Sequence, residues 1–185
     1  MSKSHKSITP FAQSLQEAVE TLHSLGELEP AVVAAAETVL TSLRNGGKLL
    51  FCGNGGSAAD SAHMATEFTC RFMGDRRPYP GIALTADGGL LTAIGNDYAF
   101  QDIFSRQVRA YGKPGDVLIA LSSSGKSRNI LSAIEEARRI GLKTIVFLGK
   151  GGGYTKGAAD IEILVPGTVT ARIQEAQKFL LHVIC

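Results

Sequence analysis

Five short apolar runs divide the chain, at 48–52, 81–85, 117–121, 144–148 and 161–165. The first, Lys48-Leu49-Leu50-Phe51-Cys52, stops at a glycine-rich turn and reads as a buried strand. The run at 161–165 alternates more and ends at Pro166, the pattern of an edge strand. Between the runs the apolar positions recur every three to four residues, the period of a helix. Such segments follow Ser57, cover Phe100–Tyr111 and Ser127–Ile140, and close the chain from about Thr170 to Cys185. Leu90–Ile94 is a short helix or turn, and Gly95-Asn96-Asp97 reads as a polar loop. Gly149–Gly153 reads as a flexible loop.

Two helical patterns precede the first run. One starts at Pro10 and carries Phe11, Leu15, Ala18, Val19, Leu22 and Leu25; the other starts near Pro30 and stops at Asn45-Gly46-Gly47. Residues 1–9 are polar and expected to be disordered at the tip. Strands interleaved with helices predict an α/β fold, a five-stranded parallel sheet covered on both faces. We expect a single domain over 1–185, with a helical hairpin at about 10–45 and an α/β core at about 47–185. A hairpin with no sheet of its own either packs on a partner subunit or folds back on its own domain.

Composition narrows the function classes. A 44% hydrophobic and 19% charged chain of 185 residues suits one globular domain with a sizeable core. A net charge of +2 gives no electrostatic case for nucleic acid or an anionic membrane surface. No apolar run approaches the roughly 18 residues needed to span a bilayer. The basic N-terminus lacks an apolar stretch after it, so a signal peptide is not expected. Cys52, Cys70 and Cys185 form no CxxC pair, which fits reduced thiols in a cytoplasm.

Candidate chemistry sits at two strand ends. Gly53-Asn54-Gly55-Gly56-Ser57 allows a tight turn with exposed N–H groups, and Ser57 is placed to cap the next helix with Asp60 in its first turn. The third glycine of a dinucleotide fingerprint would fall at Ala58, so that class is disfavoured; Asn54 and Ser57 suit sugar hydroxyls better. Ser122, Ser123, Ser124 and Ser127 leave a strand and enter a helix, where hydroxyls and N–H groups can hold a phosphate without a Walker lysine. His63 and Glu67, at i,i+4, share a helix face, and Gln174 and His182, at i,i+8, roughly share another. Together they could form an N/O site for a divalent metal, or an acid–base pair. Arg71 could clamp a phosphorylated substrate, and Asn96-Asp97 could bind a hydroxyl.

The G-N-G-G-S-A-A-D stretch at 53–60, L-S-S-S-G-K-S at 121–127 and A-I-G-N-D at 93–97 resemble sugar isomerase (SIS) domains. With His63, Glu67, R-I-Q-E at 172–175 and His182, nearly the whole chain resembles the phosphoheptose isomerases. The resemblance implies a three-layer α/β/α fold whose N-terminal hairpin serves oligomerisation, and a cytoplasmic homotetramer with active sites at subunit interfaces. It implies isomerisation of sedoheptulose 7-phosphate to D-glycero-D-manno-heptose 7-phosphate through an enediol. That is the first step toward nucleotide-activated heptose for lipopolysaccharide or capsule.

By the same resemblance, one zinc ion per subunit is held at His63, Glu67, Gln174 and His182, and phosphate at Ser122, Ser123, Ser124 and Ser127. The sugar meets Asn54, Gly55, Gly56, Ser57, Glu67, Arg71, Asn96, Asp97 and Gln174. Glu67 and His182 are the acid–base pair. The chain departs from the family at Gln177, where a further histidine is often found, and the family's last helix usually runs past the position of Cys185. Two other classes stay open: a non-catalytic tetrameric SIS protein that binds the DnaA replication initiator, and an isomerase for another phosphosugar such as arabinose 5-phosphate.

Overall fold

Pro10 begins the first helix, α1 (Pro10–His23), and the Thr9 hydroxyl caps it by accepting the Ala12 N–H at 3.2 Å. A 3-10 turn over Ser24–Leu28 leads into α2 (Glu29–Arg44). The structure, a computed structural model, describes residues 8–185, so the expectation for residues 1–7 lies outside the described residues. The remaining order is β1 (Leu49–Gly53), α3 (Gly56–Thr69), β2 (Gly81–Ala83), α4 (Gly88–Asp97), α5 (Ser105–Tyr111), β3 (Val117–Ser122), α6 (Arg128–Arg139), β4 (Lys143–Leu148), β5 (Ile161–Leu164) and α7 (Thr170–Ile184).

The strands form one parallel sheet in the order β2-β1-β3-β4-β5, with β5 at an edge as its alternating pattern predicts. Side chains alternate between faces along a strand, and here both faces are covered. Leu49, Phe51, Ile119, Leu121, Ile145 and Phe147 pack with residues of α2, α3 and α7. Leu50, Cys52, Leu118, Ala120, Val146 and Leu148 pack with α4, α5 and α6. Two-sided burial is why β1, β3 and β4 read as unbroken apolar runs. From β1 the chain crosses to β2 in one direction and reaches β3 on the other side, so β1 and β3 flank the topological switch point. Ligands of open parallel sheets bind in the crevice beyond the strand ends at that point.

The N-terminal helices fold back on their own domain in part. Both α1 and α2 lie against α7, and Arg172 Nη1 donates to the Ser14 carbonyl at 2.6 Å. Their other side stays apolar and exposed at Phe11, Leu15, Val19, Leu22, Val33 and Leu40. Among the described residues no helix is long and apolar enough to cross a membrane.

Several local expectations change. Gly95, Asn96 and Asp97 are not a loop: α4 runs through them, started by the Asp87 carboxylate accepting the Leu90 N–H at 2.9 Å and anchored by buried Ile94. The segment expected as one helix at 100–111 is a 3-10 turn over Phe100–Asp102 followed by α5. The loop at 149–153 is a 3-10 turn over Lys150–Thr155 held against the end of β3.

Candidate active site

Because β1 and β3 are neighbours, the turns that follow them lie side by side. After β1, Gly55 takes φ +56° and precedes α3, which starts at Gly56. Ser57 is therefore not the cap. It lies inside the first turn, buried, with its N–H on the Asn54 carbonyl at 3.1 Å. Asp60 pairs with Lys178 at 2.7 Å.

After β3, Ser122 is buried and its hydroxyl has no partner among the described residues. Gly125 turns the chain at φ +61°, and the Ser124 hydroxyl accepts the Lys126 N–H at 3.2 Å. Ser127 precedes α6 without spending its side chain on a capping bond. Asn129, which the sequence did not single out, exchanges two amide hydrogen bonds with Asn54, at 2.8 and 2.9 Å. It locks the β1 turn to the start of α6. Its signal was no more than a polar residue in the first turn of a helix. Asn54, Ser127 and Asn129 line a cleft with Phe100, Gln101, Lys126 and Arg128. The uncapped Ser127 hydroxyl, a helix N-terminus and the two cations Lys126 and Arg128 give this cleft the chemistry to take an anion.

Helices α3 and α7 run side by side and meet at matched levels. Gly56 faces Gln174, and a methyl group in place of the Gly56 hydrogen would lie 2.8 Å from the Gln174 Nε2. Two turns further along, His63 Nε2 lies 3.1 Å from His182 Nε2, and Glu67 Oε1 is 3.5 Å from His63 Nε2. Phe72, another residue the sequence reading passed over, stacks on the His182 ring with centroids 5.4 Å apart. His63, Glu67 and His182 are thus brought together, and Gln174 is not with them. Eight helical residues span about 12 Å, so the two halves of the i,i+8 pair stand at different levels.

This decides how zinc fits. Ligands on tetrahedral zinc at about 2.0–2.1 Å leave two nitrogens about 3.3 Å apart, and the two imidazoles already present that spacing. Glu67 offers an oxygen one turn along. Among the described residues no group of three or more His, Cys, Asp or Glu side chains forms a ready cage. The same chain's Gln174 packs at the level of Gly56, about 12 Å of helix rise from His182. By donor chemistry His63, Glu67 and His182 would suit zinc, while the Gln174 amide of this chain lies against Gly56 about two turns away along α7.

The other predicted residues are scattered. Arg71 is exposed just beyond α3. Asn96 donates to Asp97 at 2.9 Å, both exposed, and Asp97 lines a different cleft, with Tyr98 and Arg106. Gln177 is fully buried, and its amide has no hydrogen-bond partner among the described residues.

Residues 11–149 match the SIS domain. A phosphoheptose isomerase of Rhodospirillum rubrum is 51% identical over 170 residues, 92% of this chain and 90% of that protein. One of Campylobacter concisus is 49% identical over 90% of this chain and 86% of its own length. The solved phosphoheptose isomerase of Neisseria gonorrhoeae superposes with TM-score 0.83 at 44% identity, covering 95% of this chain and 92% of that one. That of Francisella tularensis gives 0.87 at 40% identity, with the same coverage. The chain belongs to the phosphoheptose isomerase family of SIS-domain proteins.

Proposed function

We propose that this isomerase converts sedoheptulose 7-phosphate to D-glycero-D-manno-heptose 7-phosphate, supplying the first step of activated-heptose synthesis for a lipopolysaccharide or capsule. One observation carries the reading: His63, Glu67 and His182 converge between α3 and α7 on a chain that also presents an anion cradle at Ser122–Ser127. A scaffold that only binds the DnaA initiator has no use for that convergence.

In this reading the hydroxyls of Ser122, Ser123, Ser124 and Ser127, with the N-terminus of α6, hold the C7 phosphate. Asn54, fixed by Asn129, meets the sugar hydroxyls. Glu67 removes a proton from C1 of the ketose as the C2 carbonyl takes a proton from His182, giving the cis-enediol. Glu67 then returns a proton to C2 while the C1 hydroxyl gives its proton back to His182, which leaves the aldose. Zinc, when bound at His63, Glu67 and His182, would polarise the substrate oxygens as a Lewis acid.

We further propose a cytoplasmic homotetramer in which a neighbouring copy supplies Gln174 to the His63–His182 centre. The exposed apolar stripe of α1 and α2 supports this, as does the separation of Gln174 from His182 along α7.

The test is turnover of sedoheptulose 7-phosphate by wild type and Glu67→Gln, with and without a chelator. Glu67→Gln should lose roughly 10²–10⁴-fold in kcat while still binding substrate. A loss under tenfold would remove Glu67 from the role. A wild type indifferent to prolonged chelation would remove zinc.

A further inference from the structure

The turn at 150–155 does more than connect β4 to β5. Its backbone is pressed against the serine turn so closely that only glycines fit. A Cβ on Gly125 would lie 1.9 Å from the Gly152 carbonyl oxygen, and one on Gly153 would lie 2.4 Å from the Gly125 oxygen. Across this contact, fully buried Thr155 gives two hydrogen bonds to the Gly125 carbonyl, from its hydroxyl at 2.8 Å and its N–H at 3.1 Å. The Tyr154 hydroxyl donates to the Lys126 carbonyl at 2.5 Å.

A trans peptide is planar, so its C=O and N–H point in opposite directions. Holding the Gly125 carbonyl from behind therefore aims the Lys126 N–H forward, where it already meets the Ser124 hydroxyl. Holding the Lys126 carbonyl likewise fixes the plane of the peptide that carries the Ser127 N–H. Successive N–H groups turned to one side make an anion-binding concavity. The buried, unpartnered Ser122 hydroxyl lies at the base of the same turn.

We infer that Thr155 and Tyr154 are positioning residues for the substrate's phosphate: from 28 to 30 residues away they orient the peptide N–H groups that bind it. The inference rests on the placement of phosphate at Ser122–Ser127. Neither side chain touches the phosphate, so their loss weakens ground-state and transition-state binding alike and moves KM rather than kcat.

The experiment compares wild type, Thr155→Val, Thr155→Ser, Tyr154→Phe and the Thr155→Val/Tyr154→Phe double variant. Two quantities are read: KM and kcat for sedoheptulose 7-phosphate, and the inhibition constant of inorganic phosphate as a competitor. Each lost bond should weaken phosphate up to about tenfold, the two together more, with kcat within about twofold of wild type and Thr155→Ser restoring wild-type values. Tyr154 is half-exposed, so Tyr154→Phe reports even where the buried change lowers stability. Wild-type phosphate inhibition in both single variants, or a fall in kcat with KM unchanged, would overturn the positioning role alone. Failure of inorganic phosphate to compete in wild type, or competition unchanged by Ser122→Ala and Ser127→Ala, would overturn the cradle itself and this inference with it.

Discussion

Gln177 offers a sharp test of the packing. It lies at the middle of the inward face of α7, fully buried, flanked by Ile173, Ala176, Leu180 and Leu181, and neither its Nε2 nor its Oε1 has a hydrogen-bond partner among the described residues. An amide carried into an apolar interior without partners costs roughly 1–3 kcal/mol by the measure of protein mutants. Methionine has nearly the same length and no branch at Cβ, and it adapts to irregular space, so Gln177→Met removes the penalty without opening a cavity. The expected gain is about 1–2 kcal/mol. For a chain of this size that is a rise of roughly 2–8 °C in Tm, since each kcal/mol moves Tm by about 2–4 °C. Urea unfolding of wild type and variant checks it, with an unchanged m-value showing that the change lies in the native state. If Gln177→Met is instead destabilised by 1 kcal/mol or more, the amide has a partner such as a buried water, and it is a satisfied polar group.

Two further predictions follow from contacts on each side of the sheet. Glu136, in α6, accepts hydrogen bonds from Arg139 and from Arg109 of α5, and these, the Arg139 bonds foremost, lower its pKa from 4.5 to about 2 against the opposing effect of burial. A lowered folded-state pKa stabilises the protein above about pH 4.5, and that contribution is lost as pH falls toward 2. The full shift corresponds to roughly 3 kcal/mol, and solvent screening at the largely exposed guanidinium groups reduces it to about 1–2 kcal/mol. Glu136→Gln should therefore flatten the acid limb of stability against pH, and a limb as steep as wild type would refute the assignment. At the other end, Gly56→Ala pushes its methyl group into the Gln174 amide, a flexible side chain that can move aside. Tm should hold while turnover falls by up to about 10²-fold through misplacement of Gln174; wild-type turnover would take Gln174 out of the site.

The sheet was legible because two-sided burial writes strands as unbroken apolar runs, and the placement of the serine turn between strand and helix because it follows such a run directly. Misreadings arose where a local signal met a tertiary one. Gly95-Asn96-Asp97 carries the composition of a turn, yet Asp87 caps α4 upstream and Ile94 anchors it to the core, so the helix continues. Ser57 has the chemistry of a cap, but Gly55 at positive φ brings the chain into the helix two residues earlier than that role requires. Asn129 and Thr155 went unseen for another reason. Each acts on a residue 75 or 30 positions away, and nothing in its own neighbourhood marks it.

The pairing of Gln174 with His182 was read from helix angle alone. Periodicity fixes the angle at which a side chain leaves a helix and says nothing about its height along the axis, and eight residues that agree roughly in angle still differ by about 12 Å in height. Zinc ligands lie within about 2.3 Å of the ion, so two of them are never more than about 4.6 Å apart. In this structure the Gln174 amide lies against Gly56 and the His182 ring against His63, so the two side chains do not meet, and the proposed sharing of Gln174 with another copy starts from that separation. At one level Gln174 touches Gly56, beside the turn that carries Asn54; two turns on, His63 and His182 face each other. In the proposed tetramer a helix pair with sugar-facing groups at one end and the acid–base centre at the other would serve two sites at once, and the exposed apolar stripe on α1 and α2 would be the surface through which copies meet.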